Sequence, residues 1–142
     1  MSELKVFFFT VKDAKEKVQA LIQTATTHFI KKEKIHLIVP DTATLEFVDQ
    51  LLWNHPPESF LPHSTGVLFP FQDLIFISLP LISFEEFPIV FNLCQTPHSP
   101  SKTLKVLYEL EDVSHPQKTA VFKNKFEHYQ NQGLTPCNSL IC

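Results

Sequence analysis

The sequence predicts a single α/β domain, built on a doubly wound and mostly parallel sheet flanked by helices. Its 142 residues, of which 44 % are hydrophobic and 19 % charged, suit one globular domain. Apolar β-branched runs alternate with amphipathic stretches, and this order is typical of parallel strands joined by right-handed crossovers. We expect the domain to span residues 1–133, with residues 134–142 as a C-terminal tail that is either mobile or an edge strand.

Two strand–helix pairs are predicted in the first half of the chain. KVFFFTV and IHLIVP are dense apolar runs, as expected of strands that are covered on both faces. Each is followed by apolar residues at helical spacing, and an aspartate stands where a helix N-cap is needed. The predicted elements are a strand over 5–11, a helix over 13–34 capped by Asp13, a strand over 35–40 and a helix over 41–53 capped by Asp41.

The second half continues the pattern after a proline-rich loop. LIFISL and IVFNLC are further strands, and KVLYELED alternates loosely as a strand does. In the last predicted helix, Pro116 falls near the first turn and Gly133 at the C′ position. The predicted elements are strands over 74–79, 89–94 and 105–112 and a helix over 115–133.

Composition excludes several classes of function. All twelve basic residues are lysines, so the chain has no guanidinium fork with which to read guanine edges. With only two glycines it cannot build a phosphate-binding loop, and we expect no nucleotide or other cofactor. The odd cysteine count fits a reducing compartment, and the apolar runs are too short or too interrupted for a signal or membrane span, so we expect a cytoplasmic protein.

A catalytic or metal site is not predicted. His55, Glu58 and His63 fall within nine residues, but the prolines between the first two prevent the helical spacing that metal ligands use. A serine nucleophile would need an elbow flanked by glycines, which the chain lacks. We therefore expect a protein that is not an enzyme by itself.

The C-terminal helix is the first candidate for binding. At 100° per residue, Phe122, Phe126 and Tyr129 share one face. Lysines and a threonine flank this stripe: Lys118, Thr119, Lys123 and Lys125. Two interpretations remain open, namely a helix packed on the sheet with lysines at its edges, or a lysine-rimmed apolar notch for an acidic peptide with a free carboxylate.

The second candidate is LLWNHPPESFLPHS (51–64), which contains the only tryptophan. Trp53 ends a predicted helix and precedes a loop stiffened by prolines, with Phe60 and Pro62 within it. The indole is either part of the core or part of an exposed patch that binds a partner at low entropic cost.

This segment closely resembles the chi subunit family of bacterial DNA polymerase III holoenzyme, in which a helix ending in LW is followed by a P-x-ESF-x-PH loop. The pattern K-x-K-F-x-x-Y-x-x-x-G near the C-terminus is similar to the family's R-x-R-Y-x-x-Y-x-x-x-G. The resemblance covers most of the chain and is strongest over 45–64 and 118–133.

The resemblance implies a non-catalytic accessory subunit with a nucleotide-binding-like fold that lacks the phosphate loop. Such a subunit pairs with the psi subunit, which tethers it to the clamp loader, and it captures the acidic C-terminal tail of single-stranded DNA-binding protein. By position, Lys123 would be the main cation for the terminal carboxylate. Around it would lie Lys118, Lys125, Thr119 and Phe126, while Trp53, Phe60 and Pro62 would face psi or another protein.

Two other functions remain open. One is a module that binds single-stranded nucleic acid directly through aromatic residues and lysines, although a net charge of −3 and the absence of arginine argue against it. The other is a degenerate nucleotide-binding enzyme, which the scarcity of glycine disfavours.

Overall fold

A computed structural model describes residues 4–54, 63–65, 74–80, 87–99 and 103–138. These residues form a seven-stranded sheet in which all paired neighbours are parallel. The strands are β1 (Lys5–Val11), β2 (Ile35–Ile38), β3 (His63–Thr65), β4 (Ile75–Ser78), β5 (Ile89–Asn92), β6 (Val106–Asp112) and β7 (Cys137–Asn138). The helices are α1 (Ala14–Ile30), α2 (Thr42–Asn54) and α3 (Pro116–Asn131).

The strand order β3-β4-β2-β5-β6-β1-β7 shows that the chain winds in two directions. From β1, the crossover through α1 passes over β6 and β5 to reach β2. From β6, the crossover through α3 passes over β1 in the opposite direction to reach β7. Because crossovers between parallel strands are right-handed, opposite directions place the two helices on opposite faces of the sheet.

Side chains that alternate along the strands fill a separate core on each face. Leu37 of β2 belongs to a cluster with Leu21 of α1 and Val48 of α2. The next residue, Ile38, belongs to the cluster of Tyr129 in α3 on the other face. The doubly wound α/β fold predicted from the sequence is therefore confirmed.

Local signals in the sequence mark the helix ends. The Asp13 carboxylate accepts a hydrogen bond of 2.8 Å from the backbone N–H of Glu16, and Asp41 accepts one of 2.7 Å from that of Thr44. At the end of α3, Gly133 adopts a left-handed φ of 84°, the conformation that favours glycine. The three sequence signals for helix ends are confirmed.

Two features differ from the sequence prediction. Helix α1 ends at Ile30, not at residue 34, because the backbone turns left-handed at Lys32 with a φ of 59°. The short strand β3 was not predicted, since His63–Thr65 has neither a long apolar run nor clear alternation. Within the described residues, each helix is too short or too polar to cross a bilayer.

Candidate protein-binding surfaces

Helix α3 packs on the sheet through its aromatic residues. The Phe8 ring of β1 lies 5.1 Å from the Phe122 ring and 5.7 Å from the Phe126 ring, between centroids. Tyr129 is completely buried, whereas Phe122 and Phe126 are partly buried. Most of the aromatic stripe predicted from the sequence is thus a packing face, and Phe126 keeps part of its surface exposed.

Lys125 lies beneath α3, where its side chain is 5 % exposed. Its ammonium donates hydrogen bonds to Glu109 Oε1 at 2.7 Å and to the carbonyl oxygen of Cys94. The other carboxylate oxygen of Glu109 accepts from the Tyr129 hydroxyl at 2.5 Å and from the Asn92 amide at 2.8 Å. Burial raises the pKa of Glu109, although these three donors favour its ionised form.

The same polar network fixes the orientation of α3. The Tyr129 hydroxyl also accepts a 2.9 Å hydrogen bond from the backbone N–H of His98. Burial, together with the charge of Glu109, raises the pKa of Tyr129, so the phenol stays protonated and can donate to the carboxylate. Helix α3 is therefore joined to β5, β6 and the segment after β5, and its rotation about its own axis is set.

That rotation places three predicted binding residues together. At 100° per residue, Thr119, Lys123 and Phe126 lie on one side of α3, which we call the outer flank. Lys123 is exposed, and among the described residues it has no ion-pair partner. The Thr119 hydroxyl donates to the His115 carbonyl at 3.2 Å. Glu127 is exposed one turn after Lys123.

Lys118 lies at the start of α3, next to a carboxylate at the end of β6. Its ammonium is 3.5 Å from Asp112 Oδ2, and the Lys17 ammonium of α1 is 2.5 Å from the same oxygen. The backbone N–H and the hydroxyl of Ser114 donate to Asp112 Oδ1 at 2.9 and 2.6 Å. Partial burial opposes ionisation, but the bonds from Lys17 and Ser114 prevail and hold the pKa of Asp112 well below its usual value.

This cluster borders an open pocket of about 140 Å³ at the carboxyl edge of the sheet. Three lysines line it, namely Lys17, Lys118 and Lys125. Sequence reasoning missed Lys17 and Asp112. A signal was present, because Asp112 ends a strand of a predicted parallel sheet, and ligands of such sheets bind beyond the carboxyl ends of the strands.

Trp53 lies on the surface of α2, 43 % exposed, so its interpretation as a core residue is wrong. The indole N–H donates to Asp49 Oδ1 at 3.1 Å. The same oxygen is 2.6 Å from His63 Nε2, and the imidazole and indole centroids are 4.8 Å apart. Contacts on two sides thus hold the indole in one orientation while part of its surface faces solvent.

The other residues predicted for this surface, Phe60 and Pro62, lie outside the described residues, as do His55 and Glu58. In the part of the chain that the structure describes, no group of three or more histidine, cysteine, aspartate or glutamate side chains could hold a metal ion. His63 instead contacts Asp49, as described above.

Comparison with known proteins identifies the family. A search of curated proteins finds no match for the chain. A family model described as the DNA polymerase III chi subunit, HolC, matches residues 1–136, which is nearly the whole chain and includes every helix and strand from β1 to α3. The chain therefore belongs to the chi subunit family of DNA polymerase III, an accessory subunit of the replication machinery.

Proposed function

We propose that this chain is a non-catalytic subunit that links the polymerase III holoenzyme to single-stranded DNA-binding protein by capturing its acidic C-terminal tail. We also propose that it pairs with the psi subunit, and through psi with the clamp loader. Membership of the chi family supports both statements. Such a role belongs in the cytoplasm, where a bacterial chromosome is replicated.

The observation that carries the tail proposal is the placement of Lys123. It is an exposed cation beside the partly exposed ring of Phe126 on the outer flank of α3. Positive charge is local there, because residues 35–101 contain seven acids and no lysine, whereas Glu127 is the only acid over 113–133. An acidic peptide would be steered toward this end of the molecule, and an apolar contact would then hold it.

The predicted residues would have different roles in tail binding. Lys123 and Lys118 are exposed enough to meet an acidic peptide, and Thr119 supplies a hydroxyl on the outer flank. Lys125 would act from beneath, by holding the helix in place through Glu109. Since an ammonium is a point charge and not a planar fork, each carboxylate contact would be less directional than one from arginine.

A second surface would bind psi or another protein. Trp53 presents an indole that is already held by Asp49 and His63, so little side-chain entropy would be lost when a partner covers it. Rigid, partly exposed tryptophans are frequent among the residues that dominate interface energetics. Phe60 and Pro62 would extend this surface, as the family resemblance implies.

Calorimetric titration with a peptide that copies the C-terminus of the organism's own single-stranded DNA-binding protein tests the tail proposal. We expect micromolar binding that weakens with salt, and Lys123→Ala should weaken it about tenfold, as loss of a key charged contact does. The control is Lys105→Ala, which removes an exposed lysine just before β6 and outside the residues proposed to bind the tail.

The same titration with single-stranded DNA separates tail capture from the alternative function. Stronger binding of the oligonucleotide than of the peptide, with a steep salt dependence, would indicate a direct nucleic-acid binder instead. If neither ligand binds the unsubstituted protein, the tail proposal is wrong.

The psi proposal is tested with the purified psi subunit. Trp53→Ala should weaken its binding by about tenfold or more, as expected when an interface tryptophan is truncated. Trp53→Phe loses the N–H that donates to Asp49 but keeps an aromatic ring. Its affinity for psi should therefore fall less than that of Trp53→Ala. Equal affinity of all three proteins would exclude Trp53 from the interface.

A further inference from the structure

Five of the twelve lysines lie at the edge of the sheet where the parallel strands begin. Lys5 starts β1, and Lys105 directly precedes the neighbouring strand β6. The other three belong to the segment that leads from the end of α1 to the start of β2, namely Lys31, Lys32 and Lys34. We call these five residues the amino-edge lysines.

Contacts between α1 and the sheet bring the two groups of lysines together. The backbone N–H of Lys5 donates to the carbonyl oxygen of Lys105 at 2.9 Å, so these residues are neighbours. In the last turn of α1, the Nε2 atom of His28 is 2.8 Å from the hydroxyl of Tyr108 in β6. The end of α1 is therefore held over the first residues of β6, and the lysines that follow α1 lie beside the start of β6 and β1.

The amino edge carries a net positive charge, although the whole chain has a net charge of −3. Four of the amino-edge lysines are exposed and Lys34 is partly buried. None of the five forms an ion pair with another described residue. Glu33 is the one acid within residues 4–6, 30–35 and 103–106, and its carboxylate is 2.9 Å from His28 Nδ1. An anion is therefore steered toward this edge.

Lys32 occupies a backbone position that would suit glycine better. Its φ of 59° lies in the left-handed region, where a Cβ atom is strained and where helices commonly end in glycine. Strained residues of this kind cluster at functional sites, because there the side chain is needed in spite of the strain. The strain at Lys32 therefore points to a use for its charge.

Two apolar side chains accompany the amino-edge lysines. Ile30, at the end of α1, is 72 % exposed. Phe7 of β1 is partly buried, and its ring centroid is 4.9 Å from that of Phe9. Lysines beside such groups suit single-stranded nucleic acid, whose phosphates meet the ammonium groups and whose unstacked bases pack on aromatic rings. An anionic membrane would require a much larger apolar face than these two side chains provide.

We propose that the amino-edge lysines bind the sugar–phosphate backbone of single-stranded DNA, with Ile30 and Phe7 in contact with its bases. The contact is weak, because the chain has no arginine and only point charges meet the phosphates. It goes beyond the proposed function and uses no residue of the outer flank. Capture of the tail of a single-stranded DNA-binding protein would raise the effective concentration of DNA at this edge, so that a weak contact suffices.

Fluorescence anisotropy of a labelled oligodeoxythymidine, titrated with the full chain at several salt concentrations, measures this binding. We expect a dissociation constant of roughly 10–100 μM at low salt, at the weak end for non-specific DNA binding. Neutralisation of about three or four phosphates of a single strand predicts that the logarithm of the binding constant falls with the logarithm of salt concentration at a slope of about −2 to −3.

Lys32→Gly separates a role in DNA binding from a role in the fold. Glycine relieves the left-handed backbone, so thermal unfolding should show a variant at least as stable as the unsubstituted protein. Its affinity for the oligonucleotide should nevertheless fall about threefold, and its salt slope should become shallower by about 0.7, since one phosphate contact is lost.

Substitutions on the sheet side test the same surface independently. The double variant Lys5→Gln with Lys105→Gln should weaken oligonucleotide binding about tenfold, because it removes two phosphate contacts. The matched control for a single charge is Lys15→Gln, which removes an exposed lysine from the first turn of α1, at the opposite end of the helix. Its affinity should stay close to that of the unsubstituted protein.

The outcomes that would overturn the proposal are distinct from a failure of tail capture. If the oligonucleotide does not bind at low salt, or if Lys15→Gln weakens binding as much as Lys32→Gly, the amino edge is not a DNA-binding surface. Binding to phosphatidylserine vesicles without binding to the oligonucleotide would assign the surface to a membrane instead. Lys32→Gly should bind the tail peptide as tightly as the unsubstituted protein, so the peptide titration tests tail capture separately.

Discussion

Lys125 and Glu109 form an ion pair whose side chains are 5 % and 0 % exposed. Removing two charges from water costs several kcal/mol per ion, and their attraction offsets this only where further hydrogen bonds satisfy both groups. Tyr129, Asn92 and the Cys94 carbonyl provide those bonds. The pair therefore depends on each of its members, and loss of one leaves the other as a buried and uncompensated charge.

We predict that Lys125→Met lowers the free energy of unfolding by about 3–5 kcal/mol, the usual cost of removing one partner of a buried pair. The methionine fills most of the space that the lysine stem occupied, so the loss would come from the stranded Glu109 and not from a cavity. Urea denaturation of the two proteins measures the difference.

The double variant Lys125→Met with Glu109→Gln is the control. Glutamine removes the charge and can still bond to Tyr129 and Asn92, so the double variant should recover a large part of the lost stability. It should also bind the tail peptide within about threefold of the unsubstituted protein, because Lys125 acts from beneath the helix. A large loss of peptide affinity in a stable double variant would instead make Lys125 a direct contact.

His36 is a second buried titratable residue, 2 % exposed, and its Nε2 atom is 2.6 Å from Ser78 Oγ. Burial, with a smaller effect from His98, lowers the pKa of His36 to about 4 from an ordinary value of 6.5. Between these two values the unfolded chain binds more protons than the folded one. The free energy of unfolding therefore keeps the full contribution of His36 above about pH 6.5 and loses it as the pH drops toward 4.

We predict that this residue makes the protein up to about 3 kcal/mol less stable at pH 4 than at pH 7. His36→Gln, which does not titrate, should show a smaller loss over the same range. Urea denaturation at several pH values measures how the free energy of unfolding of each protein depends on pH. Parallel pH profiles would show that other groups account for the acid sensitivity.

At the scale of single elements, the ends of α1 and α3 make an informative contrast. Both helices are followed by a left-handed residue, which is glycine in one case and lysine in the other: Gly133 has a φ of 84° and Lys32 a φ of 59°. A residue with a Cβ atom is strained in this region by about 1–2 kcal/mol. At Gly133 an added Cβ would contact nothing within 4 Å, so only the backbone cost applies.

We predict opposite effects on stability for substitutions at these two positions. Gly133→Ala should destabilise the protein by about 1 kcal/mol, and Lys32→Gly should stabilise it by somewhat less, since glycine also gains entropy in the unfolded chain. Thermal unfolding would show the shifts in Tm. If both substitutions stabilised the protein, or both destabilised it, the left-handed backbone would not be the cause of these effects.

For the whole molecule, the sheet separates the two proposed binding surfaces. Trp53 belongs to α2, which shares a core with α1 on one face, whereas the residues proposed to bind the tail belong to α3 on the other. The buried strands between them are held in register by parallel pairing throughout. Neither partner would need to displace the other.

We predict that the tail peptide and the psi subunit bind at the same time and nearly independently. The dissociation constant of the peptide should change less than about threefold when psi is saturating, which corresponds to a coupling below about 1 kcal/mol. Titration of the peptide into the preformed complex with psi measures the dissociation constant in the presence of psi, for comparison with the value for the protein alone. Mutual exclusion would place both partners on one surface.

The sequence by itself determined all three helices, most of the strands and the family. Dense β-branched runs, helical spacing of apolar residues and capping aspartates are local signals that need no knowledge of distant contacts. The LW and ESF-x-PH segment is likewise a local signal, and it indicates the chi family through residues that are neighbours along the chain. Each of these features can be predicted because it depends on short stretches of sequence.

Only the tertiary structure decided which side chains are exposed and which distant groups meet. Lys123 and Lys125 are two residues apart on one helix, yet one faces solvent and the other pairs with Glu109 of β6. Lys17 and Lys118 are about a hundred positions apart, yet both contact Asp112. The pairing of β6 with β1 brings these groups together, because strand order sets distances that no local pattern encodes.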